Sequence, residues 1–176
     1  MRRSFHWLKR FTTLVLLLML CLIFRCQQQS RDAITQGELN ALNERILQIW
    51  NQGNLALVDE VYTVQVVRYD AGWPHPIRGL DGLKSHFAFY RSAYPDIDMI
   101  IQETIMEGDK IVWHWTLTGT NTGPMGEAPA TGKEVRLSGI SIGRIVDGKI
   151  AEVGDFYNQA SLLLQLGFTF TPPQGE

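Results

Sequence analysis

The chain has 176 residues, 45% of them hydrophobic and 19% charged, with two cysteines and a formal net charge of −2. That composition allows one ordinary compact domain and argues against intrinsic disorder. Residues 1–32 hold six of the 16 Lys and Arg and a single acid, Asp32, which leaves 10 basic and 17 acidic residues in 33–176, a balance of −7; the remaining basic residues are scattered singly, so the electrostatic footprint of a nucleic-acid partner is missing.

In chain order the first element is a leader over 1–32. Arg2, Arg3, Lys9 and Arg10 precede a charge-free 14-residue run, 11–24, which Arg25 and the polar stretch Gln27-Gln28-Gln29-Ser30 close. This is the order of a signal peptide or membrane anchor and predicts export or tethering in the cell envelope. As a helix the run would cover about 21 Å, short of a hydrocarbon core of roughly 30 Å, so a comfortable spanning helix is disfavoured. No small-x-small cleavage site follows the run, and Cys26 stands behind Arg25 where a lipidated cysteine normally has a small residue, so lipidation there is poorly supported. With Cys21 and Cys26 both in the leader, residues 33–176 can form no internal disulfide and no thiolate metal site. That domain must hold together by its core.

Thr35-Gln-Gly-Glu38 has the pattern of a capping box, and Leu39, Leu42, Ile46, Ile49 and Trp50 then recur at helical spacing up to Gly53, predicting an amphipathic helix over about 37–52. A short helix is expected over 54–62 and a strand over 64–69, before a turn-rich segment at 70–76. Gly79 and Pro95 bound a third helix with Leu83, Phe87, Tyr90 and Tyr94 along one stripe. Strands are expected over 97–106, 110–120, 134–146 and 149–156, the last pair joined by the hairpin signal Asp147-Gly148, with a closing helix over about 159–166. Helices followed by an antiparallel meander indicate an α+β domain whose curved antiparallel sheet wraps around the N-terminal helices.

Strand alternation sets Ile111, Trp113, Trp115 and Leu117 on one face and Val112, His114, Thr116 and Thr118 on the other. The two tryptophans are either plain core or the wall of an apolar pocket for a flat ligand. His114 is a candidate proton-transfer group by residue type, although a lone strand histidine is more often structural. At the end of the last strand, Asp155 and Tyr157 share one face; an acid beside apolar walls can have its pKa raised and act as general acid or base. Asn158 suits either a polar contact to a ligand or the N-cap of the closing helix. His75 and His86 have no partner at metal-ligand spacing, and there is no nucleophile elbow, phosphate loop or dinucleotide fingerprint, so neither a metal nor a cofactor is expected.

The ordered elements Arg78-Gly-Leu-Asp-Gly-Leu, Tyr94-Pro-Asp96, Glu107-Gly-Asp109, Gly119-Thr-Asn-Thr-Gly123, Ala130-Thr-Gly-Lys133, Gly139-Ile-Ser-Ile-Gly-Arg144, Asp147-Gly-Lys-Ile-Ala-Glu152 and Gln165-Leu-Gly167 together resemble the SnoaL-like polyketide cyclase or ester cyclase family over roughly 37–168. The resemblance implies a nuclear-transport-factor-2-like cone with an apolar cavity. It also implies ring closure by intramolecular aldol condensation without metal or cofactor, driven by an aspartate in the cavity. Counting back from Gln165-Leu-Gly167 sets the family's aspartate before the last helix on Asn158, and the family's Gly-Thr-His-x-Gly histidine on Asn121. A carboxamide exchanges no proton near neutral pH, so on this alignment proton transfer falls to Asp155 or His114, with Asn158, Asn121 and Tyr157 orienting a carbonyl. The family's tryptophan after Lys-Ile-x-Glu is replaced by Gly154. The expected partner is a hydrophobic small molecule. The alternatives are a non-catalytic module that carries such a ligand, and an interaction domain that pairs two copies through the open sheet face.

Overall fold

The structure, a computed structural model, describes residues 34–171. The predicted leader and its cysteines lie outside the described residues; among those described, no helix is long and apolar enough to cross a membrane.

Helix α1, Gln36–Gln52, buries the stripe read from its spacing, Leu39, Leu42, Ile46, Ile49 and Trp50. A 3-10 turn, Leu55–Leu57, and the one-turn helix α2, Val58–Val61, lead into strand β1, Tyr62–Asp70. A two-residue strand β2, Ile77–Arg78, precedes α3, Gly79–Ala93. Strands β3 (Asp98–Glu107), β4 (Lys110–Thr120), β5 (Glu134–Val146) and β6 (Lys149–Tyr157) follow, and α4, Gln159–Leu166, closes the order.

The six strands form one sheet in the order β2-β1-β6-β5-β4-β3. Strands β3 to β6 are the antiparallel meander expected from the hairpin signals, but the sheet is mixed: β1 pairs with β6 in parallel. The expectation of a purely antiparallel sheet is therefore corrected. A parallel neighbour needs a long crossover rather than a tight turn, and no local sequence signal marks it. The pairing aligns Arg68 with Val153 and Asp70 with Asp155.

Along β5 burial alternates residue by residue, the mark of a sheet with one face covered and one open. The covered face packs against α1, α3 and α4. The open face carries Ile140, Ile142 and Phe156, all exposed. Gly139 and Gly143 sit on the covered face beneath the indoles of Trp115 and Trp113; a Cβ at 143 would approach the Trp113 ring to 2.8 Å, and one at 139 would collide with Trp115. Both glycines make room for large rings beside the sheet, which is how two tryptophans fit on one strand face.

Candidate functional site

A cavity lies between α1 and the covered face of the sheet. Its volume is about 70 Å³. Its walls are apolar for most of their extent: Ile46 and Trp50 from α1, Met99 and Ile101 from β3, Trp113, Trp115 and Leu117 from β4, Ile150 and Val153 from β6. The polar groups come from Arg68 and Asp70 on β1, Ser141 on β5, and Asp155 and Tyr157 on β6, with the Tyr62 phenol beside them.

Asp155 is 6% exposed. The indole N–H of Trp115 donates to Ser141 Oγ at 2.9 Å, and the Ser141 hydroxyl donates to Asp155 Oδ1 at 2.6 Å. Because Trp115 has only a donor to offer, it fixes the hydroxyl so that the serine proton points at the carboxylate. The other oxygen, Oδ2, lies 2.7 Å from Arg68 Nη2. That contact is an ion pair without hydrogen-bond geometry, and Oδ2 has no hydrogen-bond partner among the described residues. Burial pushes the Asp155 carboxyl up, while the Arg68 charge and the Ser141 hydroxyl pull it back. The guanidinium of Arg68 is itself buried, 5.5 Å from the ring centroids of both Trp50 and Phe87.

The second carboxylate, Asp70, is fully engaged. Its Oδ1 accepts from Gly72 N at 2.8 Å and from the Tyr157 hydroxyl at 2.9 Å; its Oδ2 faces His86 Nε2 at 2.8 Å and accepts from the Tyr90 hydroxyl at 3.2 Å. Burial alone would push this carboxyl up, but the His86 hydrogen bond, the Arg68 charge and the Gly72 N–H outweigh it and bring it from 3.8 down to about 2. An ionised Asp70 accepts only, so His86 Nε2 carries the hydrogen. The imidazole is fully buried among Trp50, Trp73, Phe87 and Tyr90, and burial pushes its pKa down against the pull of Asp70. It is therefore held neutral.

This arrangement has a pH consequence whose sign is fixed. A depressed carboxyl stabilises the folded state above its unfolded pKa of about 3.9, and the contribution is lost as pH falls through the folded value of about 2. The shift from 3.8 to about 2 corresponds to about 2 kcal/mol. Urea denaturation of wild type and Asp70→Asn at a series of pH values should give curves that differ by at least this amount above pH 4 and converge toward pH 2. A difference that does not vary with pH would refute the assignment.

The sequence-derived candidates divide. Asp155, Tyr157, Trp113 and Trp115 line the cavity together. His114 does not: alternation turns it to the open face of β4, where Nε2 contacts Ser138 Oγ at 3.3 Å. Asn158 is exposed and caps α4, its Oδ1 accepting from Ser161 N at 2.9 Å, so the capping alternative describes it. Asn121 is buried but faces the loop after β4; its Nδ2 donates to Ala93 O at 3.3 Å and Gly123 O at 2.8 Å, and its Oδ1 accepts from Thr131 N and Oγ1. None of these three lines the cavity. Asn158→Ala should cost about 1 kcal/mol in denaturant unfolding by loss of the cap, with no change in ligand binding to the cavity.

Arg68, Asp70, His86 and Ser141 escaped the sequence reading. A signal existed on β1, where Val66, Arg68 and Asp70 alternate onto one buried face; charges in phase with an apolar residue mark buried ionic groups that need partners, found here in Asp155 and His86. His86 likewise falls in the α3 stripe with Leu83 and Phe87.

The family model for the SnoaL-like polyketide cyclases matches residues 40–166. No curated protein sequence matches. Among solved structures, TsrD from Streptomyces laurentii is 26% identical with a TM-score of 0.70, covering 77% of this chain and 98% of its own. A candidate polyketide cyclase from Acidithiobacillus ferrooxidans is 23% identical with a TM-score of 0.66, over 76% of this chain and 96% of its own. A protein from Catenulispora acidiphila, described as having a ketosteroid isomerase-like fold and solved with trimethylamine, shares the fold at 15% identity and a TM-score of 0.63, over 74% of this chain and 97% of its own.

Proposed function

Since the chain belongs to the SnoaL-like polyketide cyclase family, we propose that its cavity binds a flat, apolar carbonyl compound and closes a ring in it by cofactor-free acid–base chemistry, with Asp155 as the proton-transfer group. The observation that carries this reading is the position of Asp155: a buried carboxylate on an apolar cavity wall, one oxygen oriented by Ser141 and the other without a hydrogen-bond partner among the described residues. In the proposed step Oδ2 removes a proton from the carbon beside a carbonyl. The resulting enolate carbon attacks a second carbonyl of the same molecule, forming the C–C bond, and the protonated carboxyl returns its proton to the new alkoxide. The product is an isomer of the substrate, so no oxidant or reductant is consumed.

The apolar walls serve both partners of the step. They exclude water that would quench the enolate, and they raise the energy of the free carboxylate so that it is a stronger base than in solution. Tyr157 bonds to Asp70 and cannot donate elsewhere without giving that bond up, so the proposal assigns it to shaping the cavity and not to proton transfer.

The ion pair with Arg68 favours a second reading, in which Asp155 is an anchor and the domain binds its ligand without turning it over. One experiment separates the two. A planar aromatic β-keto ester is incubated with the protein in deuterated water; exchange at the carbon between the carbonyls is followed by NMR, and binding by quenching of tryptophan fluorescence. Binding with accelerated exchange supports catalysis, and binding without it supports the anchor.

A further inference from the structure

The polar end of the cavity holds a cation as well as an acid, and its role deepens the function just proposed. Arg68 is 5% exposed. Its Nη2 meets Asp155, the Tyr62 phenol lies within its field, and its flat guanidinium lies near Trp50 and Phe87. Its Nε, however, is buried with no hydrogen-bond partner among the described residues. A buried N–H of a charged group is costly to leave unsatisfied. Asp155 Oδ2, in the same cavity lining, has the ion pair with Arg68 Nη2 and no hydrogen bond among the described residues. A donor without a partner beside an acceptor held only by an ion pair makes a two-point site for a ligand that presents an oxygen next to an acidic hydrogen.

We propose that Arg68 is a second catalytic residue, whose Nε–H receives the ligand oxygen as it becomes negative while Asp155 takes the neighbouring proton. The charge created on the ligand then appears beside a cation that is already in place and dry, where hydrogen bonds to developing oxyanions are worth most. The other groups facing this end do not compete. Asp70 is saturated by four donors, among them Tyr157 and Tyr90, and His86 is neutral. Asp155 and the ionised Asp70 are the two negative charges at this end, and of the two only Asp155 is in direct contact with Arg68.

The probe is 2-naphthol, a flat apolar phenol whose ionisation changes its absorption and emission. Asp155→Asn removes the opposing charge while keeping the side chain's shape, so this variant should bind naphtholate at least tenfold more tightly than wild type, with the bound naphthol titrating at lower pH than free naphthol. Arg68→Met alone would strand Asp155 without its counter-charge, so arginine is removed in the Asp155→Asn background; the double variant should lose the tenfold gain. In the wild-type protein, the Nε–H correlation of Arg68 in a nitrogen–proton NMR spectrum should move downfield on addition of 2-naphthol, the direction of a new hydrogen bond to oxygen, and its hydrogen should exchange more slowly with solvent. Equal naphtholate affinity in the single and double variants, or an unmoved Arg68 signal with naphthol bound, overturns the role of Arg68 and leaves the cavity reading standing. Failure of every form to bind 2-naphthol overturns both.

Discussion

Asp155→Asn is expected to lower the rate of deuterium exchange into a bound β-keto ester by about 10²–10⁴-fold, the usual worth of a positioned general base. The asparagine can still accept the Ser141 hydroxyl through its carbonyl oxygen, so the wall of the cavity keeps its shape. Its amide nitrogen replaces Oδ2 and exchanges no proton near neutral pH. The wild-type rate should fall as pH drops through the Asp155 pKa, because the ionised form is the base, and burial sets that fall above the ordinary carboxylate range against the pull of Arg68. Ligand binding by tryptophan quenching should persist in the variant. Exchange at the wild-type rate with binding intact would remove Asp155 from the chemistry and leave the non-catalytic reading.

A large loss of stability outside the apolar core should come from Asn121→Ala. This side chain is 1% exposed and ties three segments together: the end of α3 at Ala93, the turn at Gly123 and the loop at Thr131. Alanine would leave the Gly123 carbonyl, the Thr131 N–H and the Thr131 hydroxyl without these bonds, whereas the Ala93 carbonyl keeps the N–H groups of Thr122 and Gly123. At about 1–3 kcal/mol for each buried group left unsatisfied, with some relieved by water reaching the loop, a loss of about 3 kcal/mol or more is expected in urea denaturation. Exchange chemistry per folded molecule should not change. A fall in exchange with stability intact would return Asn121 to the list of site residues, and a loss below about 1 kcal/mol would refute its role as a lock.

The elements were legible because their signals are local. The α1 stripe, the Asp147-Gly148 hairpin and the alternation along β4 and β5 each express a period within a few residues, and each element appears at its expected place. The cavity's apolar wall followed from the same alternation, which is why Trp113 and Trp115 were found. The polar end was only half visible: Asp155 sits in a strand of clear phase, whereas its partner Arg68 arrives through the parallel β1–β6 pairing, which no turn announces. Register counted from Gln165-Leu-Gly167 pointed to Asn158, three positions past the carboxylate that lines the cavity. Helix capping explains why that position is an amide: a short polar side chain there answers a free backbone N–H of α4.

The parallel junction also bears on how the molecule is made. Tyr157 and Asp70, which bond across it, are 87 residues apart in sequence, and contacts at such separation form only after a large loss of chain entropy. The hairpins from β3 to β6 can assemble from neighbouring segments, but the polar end of the cavity cannot exist until the first strand docks beside the last. Ligand binding should therefore be acquired in the slowest kinetic phase of refolding, and a ligand bridging β1 and β6 should slow unfolding more than it speeds folding.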